Sequence, residues 1–254
     1  MPLAFRLIPC LDTDGERVVK GIRFQNLRDA GDPAQLAARY NREGADELVV
    51  LDIAASRDRR PTFLATIERV AQQLAIPLTA GGGVQSVAEA RAILRAGADK
   101  VTVNTAALGR PGLLAEMAAE FGSQAVILAI DAKRSGGHWE AFVRGGRETS
   151  KRDAVEWAAE GVEMGAGEIL LTSMDRDGTR SGFDCALTAA VSSRVRVPVI
   201  ASGGADRAED FLDVFREGRA DAALAASIFH EDTLRLAELK AFLAAREVPV
   251  RQCL

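Results

Sequence analysis

The sequence predicts a (β/α)8 barrel, the α/β fold in which eight parallel strands alternate with helices around a closed core. Three observations carry this expectation. Eight short apolar runs recur along the chain, most followed by a turn signal and an amphipathic stretch. The pattern repeats once with a period near 120 residues. Polar and glycine residues gather just past the apolar runs, at the strand ends where barrels of this kind carry their chemistry.

The runs are Phe5–Leu11, Glu47–Ile53, Ile76–Ala80, Lys100–Asn104, Ala125–Ile130, Glu168–Ser173, Val197–Ala201 and Asp221–Ala225. They are nearly continuous in Val, Ile, Leu and Ala, as parallel strands covered on both faces should be. Between them lie helical patterns such as Pro33–Glu43, Thr62–Leu74, Ser86–Ala96 and Arg207–Glu217, with Ser86 and Asp206 placed to cap. The segment Thr13–Asp32 reads as a mixed-charge loop. An open doubly wound sheet is the alternative, but it gives no reason for an internal repeat.

The repeat is specific. IPLTAGGG answers VPVIASGG, with Gly82 and Gly203 lying 121 residues apart. GADKVTVNTAA answers RADAALAASIF, Thr105 matching Ser227, and Asp12 ends the first run as Asp131 ends the fifth. Residues 1–254 therefore form one barrel domain with pseudo-repeat halves of about 1–122 and 123–254.

Composition sets the outer bounds. Of the 254 residues, 48% are hydrophobic, enough for a sizeable core and against disorder. A net charge of −4 argues against nucleic-acid binding through bulk charge. No apolar run reaches the ~20 residues that span a bilayer, and no secretory signal opens the chain, so a cytoplasmic location is expected. Three cysteines (Cys10, Cys185, Cys253) at no paired or zinc-like spacing and two histidines (His138, His230) leave neither a disulfide framework nor a metal or cofactor to expect.

The glycine clusters Gly81–Gly83 and Gly203–Gly204 let backbone amides approach an anion. Each is followed one unit later by a polar side chain opening a helix, Asn104-Thr105 and Ser227. Two symmetric phosphate cradles, using Gly83, Asn104, Thr105 and Gly204, Ser227, would hold a long substrate with a phosphate at each end; tight strand–helix turns are the plainer account. Between them Asp12 and Asp131 can divide general acid and base roles. Asp52 and Asp177 suit loop ordering or substrate contact, and Lys20 could close over a phosphate. At the opposite end Arg6, Glu47, Lys100 and Glu168 open their strands, where charges ordinarily pair for stability rather than ring an entrance.

The segments IPCLD, GERVVKG, FQNLRDAGDP, ADELVVLDI, GGGV, GADKVTVNTAA, GSQAVILAIDAKR, GAGEILLTSMDRDGT and IASGGA resemble the cyclase subunits of imidazole glycerol phosphate synthase, from about Arg6 to the C-terminus. The resemblance implies a lyase of histidine biosynthesis that works as a heterodimer with a glutaminase. The partner's ammonia and a bisphosphorylated formimino-aminoimidazole carboxamide ribonucleotide would give imidazole glycerol phosphate and aminoimidazole carboxamide ribonucleotide. It implies Asp12 and Asp131 as the acid–base pair, and Gly83, Asn104, Thr105, Gly204 and Ser227 as phosphate contacts. Lys20 becomes the closing lysine and Asp177 a substrate contact. The resemblance alone turns Arg6, Glu47, Lys100 and Glu168 into an ammonia gate and sets Asp99 against the glutaminase. One departure stands out: Ser150-Lys151 occupies the place of the family's usual Thr-Gly. The sister isomerase of the pathway, which shares the repeat, and a non-catalytic phosphate-binding scaffold are the competing readings.

Overall fold

Closure is visible in the strand pairings. The computed structural model describes residues 3–14, 16–22, 25–53 and 60–252, with backbone alone at 20–22, 25–29 and 60. Among these, twelve strands occur: β1 Arg6–Thr13, β2 Val18–Ile22, β3 Gln25–Gly31, β4 Leu48–Asp52, β5 Leu78–Gly81, β6 Lys100–Val103, β7 Val126–Ser135, β8 His138–Val143, β9 Glu148–Asp153, β10 Glu168–Ser173, β11 Val199–Ser202 and β12 Ala222–Ala225. Eight of them pair in parallel in the order β1-β4-β5-β6-β7-β10-β11-β12. β12 then returns to β1, with Arg6 opposite Ala222, and the barrel is closed.

Each expected apolar run forms one of these eight strands. The remaining four were not foreseen. β2 and β3 form an antiparallel hairpin continuing β1, inside the segment that reads as a loop. β8 and β9 form another, continuing β7 past the expected end at Ile130 to Ser135. Each hairpin follows the strand, β1 or β7, that stands four places from the other around the barrel. They escape an apolar-run reading because polar or charged residues interrupt each strand, as Lys20 does β2 and Glu140 does β8, leaving no continuous apolar signal.

Helices pack outside. Ser86 caps Val87–Arg95, its hydroxyl accepting from the Glu89 amide. Asp206 is not the cap of the helix Ala208–Arg216; that position is Arg207. The Asp210 side chain reaches back to the amides of both Asp206 and Arg207, so the carboxylate that satisfies the helix start lies inside the helix. No helix among the described residues is long and apolar enough to cross a membrane. Cys253 lies outside the described residues.

Two apolar layers follow from strand alternation, which sends successive side chains to opposite faces. Outward residues such as Leu7, Leu11, Leu48 and Val50 pack with Tyr40, Phe63, Trp157 and Phe211 of the helices. Inward residues form a separate cluster of Ile8, Cys10, Val49, Ile127, Leu170, Ile200, Ala222 and Leu224. The barrel interior is thus a filled apolar core bounded at both ends by polar groups.

The lower face is braced by a repeated device. Asp46, Asp99 and Asp221 each precede a strand and accept the amide at the start of its neighbour, from Leu7 at 2.9 Å, Leu78 at 2.8 Å and Val199 at 2.9 Å. Asp46 is also the partner of the buried Lys240, at 2.8 Å, whose ammonium donates to the Gly44 carbonyl as well. Asp46→Ala leaves that ammonium buried without its counter-charge, so the variant should lose about 3 kcal/mol of stability. Urea unfolding measures the loss, and adding Lys240→Met should recover part of it.

Candidate active site

The upper mouth of the barrel is written by the same alternation. Arg6, Ile8, Cys10 and Asp12 point inward along β1, and Ile127, Ala129 and Asp131 along β7. The two aspartates therefore rise from symmetry-related strands into one mouth. The Cys10 thiol lies 3.6 Å from Asp12 Oδ1 and donates to it, a weak bond across one turn of alternation. Asp131 has different company. Asn104 Nδ2 donates to Asp131 Oδ2 at 3.0 Å. Burial, joined by the negative charge of Asp177, pushes the Asp131 carboxyl up to about 6 against that donor.

Asn104 precedes the helix Thr105–Gly109, yet its side chain makes no capping bond to it. The expectation that it belongs with the phosphate cradle thus meets a side chain turned toward Asp131. Thr105 Oγ1 accepts the amide of Arg144, where the β8–β9 turn bends over, at 2.9 Å. Ser227 opens the short helix Ser227–His230 at the matching place in the second half. Two glycines are dictated by the backbone. Gly82 has φ +107°, and a Cβ there would stand 2.2 Å from the Asp52 carbonyl oxygen. At Gly204, φ +101°, a Cβ would stand 2.2 Å from the Gly182 carbonyl oxygen. These close approaches and positive φ values are what a tight strand–helix turn asks of glycine. Gly83 is also left-handed, at φ +62°. Lys20 lies on β2 opposite Arg28, and its side chain is outside the described residues.

The loop after β10 is tied down on both sides. Asp175 Oδ2 accepts the Arg134 amide at 2.7 Å, and the Asp177 amide donates to Ser173 O at 2.9 Å. Ser173 Oγ in turn donates to Asp184 Oδ2 at 3.1 Å. These bonds fix Asp177 near Asp131. Nothing in residue type alone announces the Asn104–Asp131 contact, but Lys100, Thr102 and Asn104 share the inward parity, and that signal was available.

At the lower end four charges close a ring of alternating sign. Arg6 Nη1 meets Glu47 Oε2 at 2.8 Å, and its other nitrogen pairs with Glu168. Lys100 Nζ lies 2.9 Å from both Glu47 and Glu168. Thr79 Oγ1 also donates to Glu47 Oε1. Burial works to lower the Arg6 pKa, but Glu168 and Glu47 outweigh it and hold the guanidinium above its ordinary value. The four side chains thus meet one another in a closed circuit of ion pairs. Asp99, exposed beside Lys100, is on the same face.

Residues 6–235 match the family described as histidine biosynthesis protein. The chain belongs to that family. It is 59% identical over 250 residues to the imidazole glycerol phosphate synthase subunit HisF of Solibacter usitatus (strain Ellin6076), spanning 98% of each chain. The HisF subunit of Acidobacterium capsulatum is 57% identical over 249 residues, again 98% of each. That of Geobacillus thermodenitrificans (strain NG80-2) is 57% identical over 248 residues, 97% of this chain and 98% of its own. Within this histidine biosynthesis family, the Lys151 departure acquires a physical meaning. Lys151 has φ +59°, a conformation glycine adopts without strain and lysine does not.

Two outcomes are expected. The raised Asp131 carboxyl binds its proton more tightly folded than unfolded, so its ionisation costs stability above about pH 6 and the cost fades as pH falls toward 4. Asp131→Asn should therefore stabilise the fold at pH 7.5 by roughly 1–3 kcal/mol and by much less at pH 4.5, as denaturant midpoints at the two pH values will show. Lys151→Gly removes left-handed strain of about 1–2 kcal/mol against a glycine entropy cost of about 0.5–1. The variant should gain up to about 1 kcal/mol in thermal unfolding and keep its single-turnover rate.

Proposed function

We propose that this chain is the cyclase subunit of imidazole glycerol phosphate synthase. It would take ammonia from a glutaminase partner in the cytoplasm and act on a bisphosphorylated formimino-aminoimidazole carboxamide ribonucleotide. The observation that carries the reading is the pair Asp12 and Asp131 at one barrel mouth, in a chain 59% identical to a HisF subunit. A scaffold that merely bound phosphates would have no use for two carboxylates there, and the full-length HisF relatives favour the cyclase over the sister isomerase.

The two aspartates suit different tasks. When ammonia adds to the substrate, the new C–N bond places a positive charge on nitrogen and a proton must leave. Asp12, supported by the Cys10 thiol, is the base that takes it. When the C–N bond to the departing carboxamide nucleotide breaks, the leaving nitrogen must gain a proton. Asp131, with its carboxyl pushed up to about 6, is the acid that gives it. The glycine turns at Gly82-Gly83 and Gly203-Gly204, with Thr105 and Ser227, would hold the terminal phosphates, and Lys20 and Asp177 would contact the substrate between them.

Ammonia would enter from below. An apolar interior would favour neutral ammonia over ammonium, because burying an unpaired charge is costly. We read the ring of Arg6, Glu47, Lys100 and Glu168 as the gate, so passage would require Lys100 to leave the two carboxylates it pairs with. Asp99 lies where the glutaminase would dock. The test is turnover of the formimino substrate, followed by its absorbance, with ammonium salt at alkaline pH or with glutamine alone. Ammonium should support turnover, glutamine should not, and Asp12→Asn should bind substrate while losing at least a hundredfold in kcat. Conversion without any nitrogen source would mean the isomerase, and binding without turnover would mean the scaffold.

A further inference from the structure

Asn104 makes one bond and lacks another. Its Nδ2 donates to Asp131 Oδ2 at 3.0 Å, while its Oδ1 is buried with no hydrogen-bond partner among the described residues. An unsatisfied buried acceptor is uncommon in a folded protein and calls for a reason. The carboxyl it faces supplies one. An ionised carboxylate can only accept, whereas a protonated one carries an O–H that must find an acceptor. Rotation of the Asn104 amide about its Cβ–Cγ bond exchanges Nδ2 for Oδ1 at the same place, and Oδ1 has no bond to surrender.

We infer that Asn104 is a positioning residue for Asp131 whose amide reverses with the proton, donating to the ionised carboxyl and accepting from the protonated one. The inference rests on Asp131 being the general acid of the proposed reaction. A fixed donor would favour only the ionised form and would work against an acid that must hold its proton until the leaving group needs it. A reversing amide holds the carboxyl in one orientation through both states and biases neither.

The surroundings keep the exchange local. Opposite Asp131, β8 presents Phe142 and β10 presents Thr172. The charged residues of the adjoining strands lie farther along: Glu140 opposite Lys133, Glu168 opposite Ile127, and Lys100 in the ring below. Asp177, from the loop after β10, is the negative charge acting on Asp131, and Asp12 shares the mouth from β1.

The test is a carboxyl carbon NMR titration of Asp131 in the full chain and in Asn104→Ala, together with steady-state kinetics at fixed free ammonia. A two-way partner supports both forms, so its loss should leave the Asp131 midpoint within about half a unit, while a lost one-way bond to a charged group raises it by about one unit or more. With reversal, kcat should fall about tenfold or more with little change in KM. Asn104→Ser, whose hydroxyl both donates and accepts, should fold like the parent and recover part of kcat. An upward shift of one unit or more marks a fixed donor and overturns the inference, as does a rise in KM with kcat intact, which marks a phosphate contact alone. Asp131→Asn separates the two levels of the argument: retained turnover there defeats the general-acid reading, whatever the titration of Asn104→Ala gives.

Discussion

Strand alternation inside a closed sheet is the constraint on which the rest of this molecule depends. Once β12 returns to β1, every second residue of each barrel strand has nowhere to point but inward. One strand then carries three roles in order: Arg6 in the lower ring, Ile8 and Cys10 in the apolar filling, Asp12 at the mouth. A slip of one residue in the register of β1 would send all of them outward at once. The bond from the Leu7 amide to Asp46 ties β1 to its neighbour at the lower edge, as Asp99 and Asp221 tie the starts of β5 and β11.

The same constraint explains why the mouth can hold two carboxylates of different character. Asp12 and Asp131 occupy equivalent strand positions, but what stands beside them is not equivalent. Asp12 has the thiol of its own strand, whereas Asp131 has Asn104 from β6 and the charge of Asp177 from the loop after β10. A duplicated frame thus supplies two similar groups, and unlike neighbours then divide acid from base.

Much of this was readable from residues alone. The eight barrel strands show because both their faces are apolar, and the repeat shows because glycine turns such as Gly82 and Gly203 tolerate no other residue well. The mouth residues follow from where strands end. The hairpins β2–β3 and β8–β9 were hidden because polar and charged residues break up whatever apolar signal their strands carry. Asp210's reach to the Asp206 and Arg207 amides was hidden because a capping carboxylate within a helix looks like any surface acid. The ring's closure and the Asn104–Asp131 bond depend on contacts between strands distant in sequence, where parity narrows the choice without selecting the partner.

The lower ring carries a record of how the halves diverged. Glu47 and Glu168 are repeat partners, but the places answering Arg6 and Lys100 in the second half are filled by Ala125 and Ala222. The first half thus contributes two cations and one acid, the second a single acid, and only their union is neutral. A barrel assembled from two copies of the first half would bring a surplus of two positive charges together at the lower end. The two halves are complementary in charge rather than interchangeable, so two copies of the first would not reproduce the neutral ring.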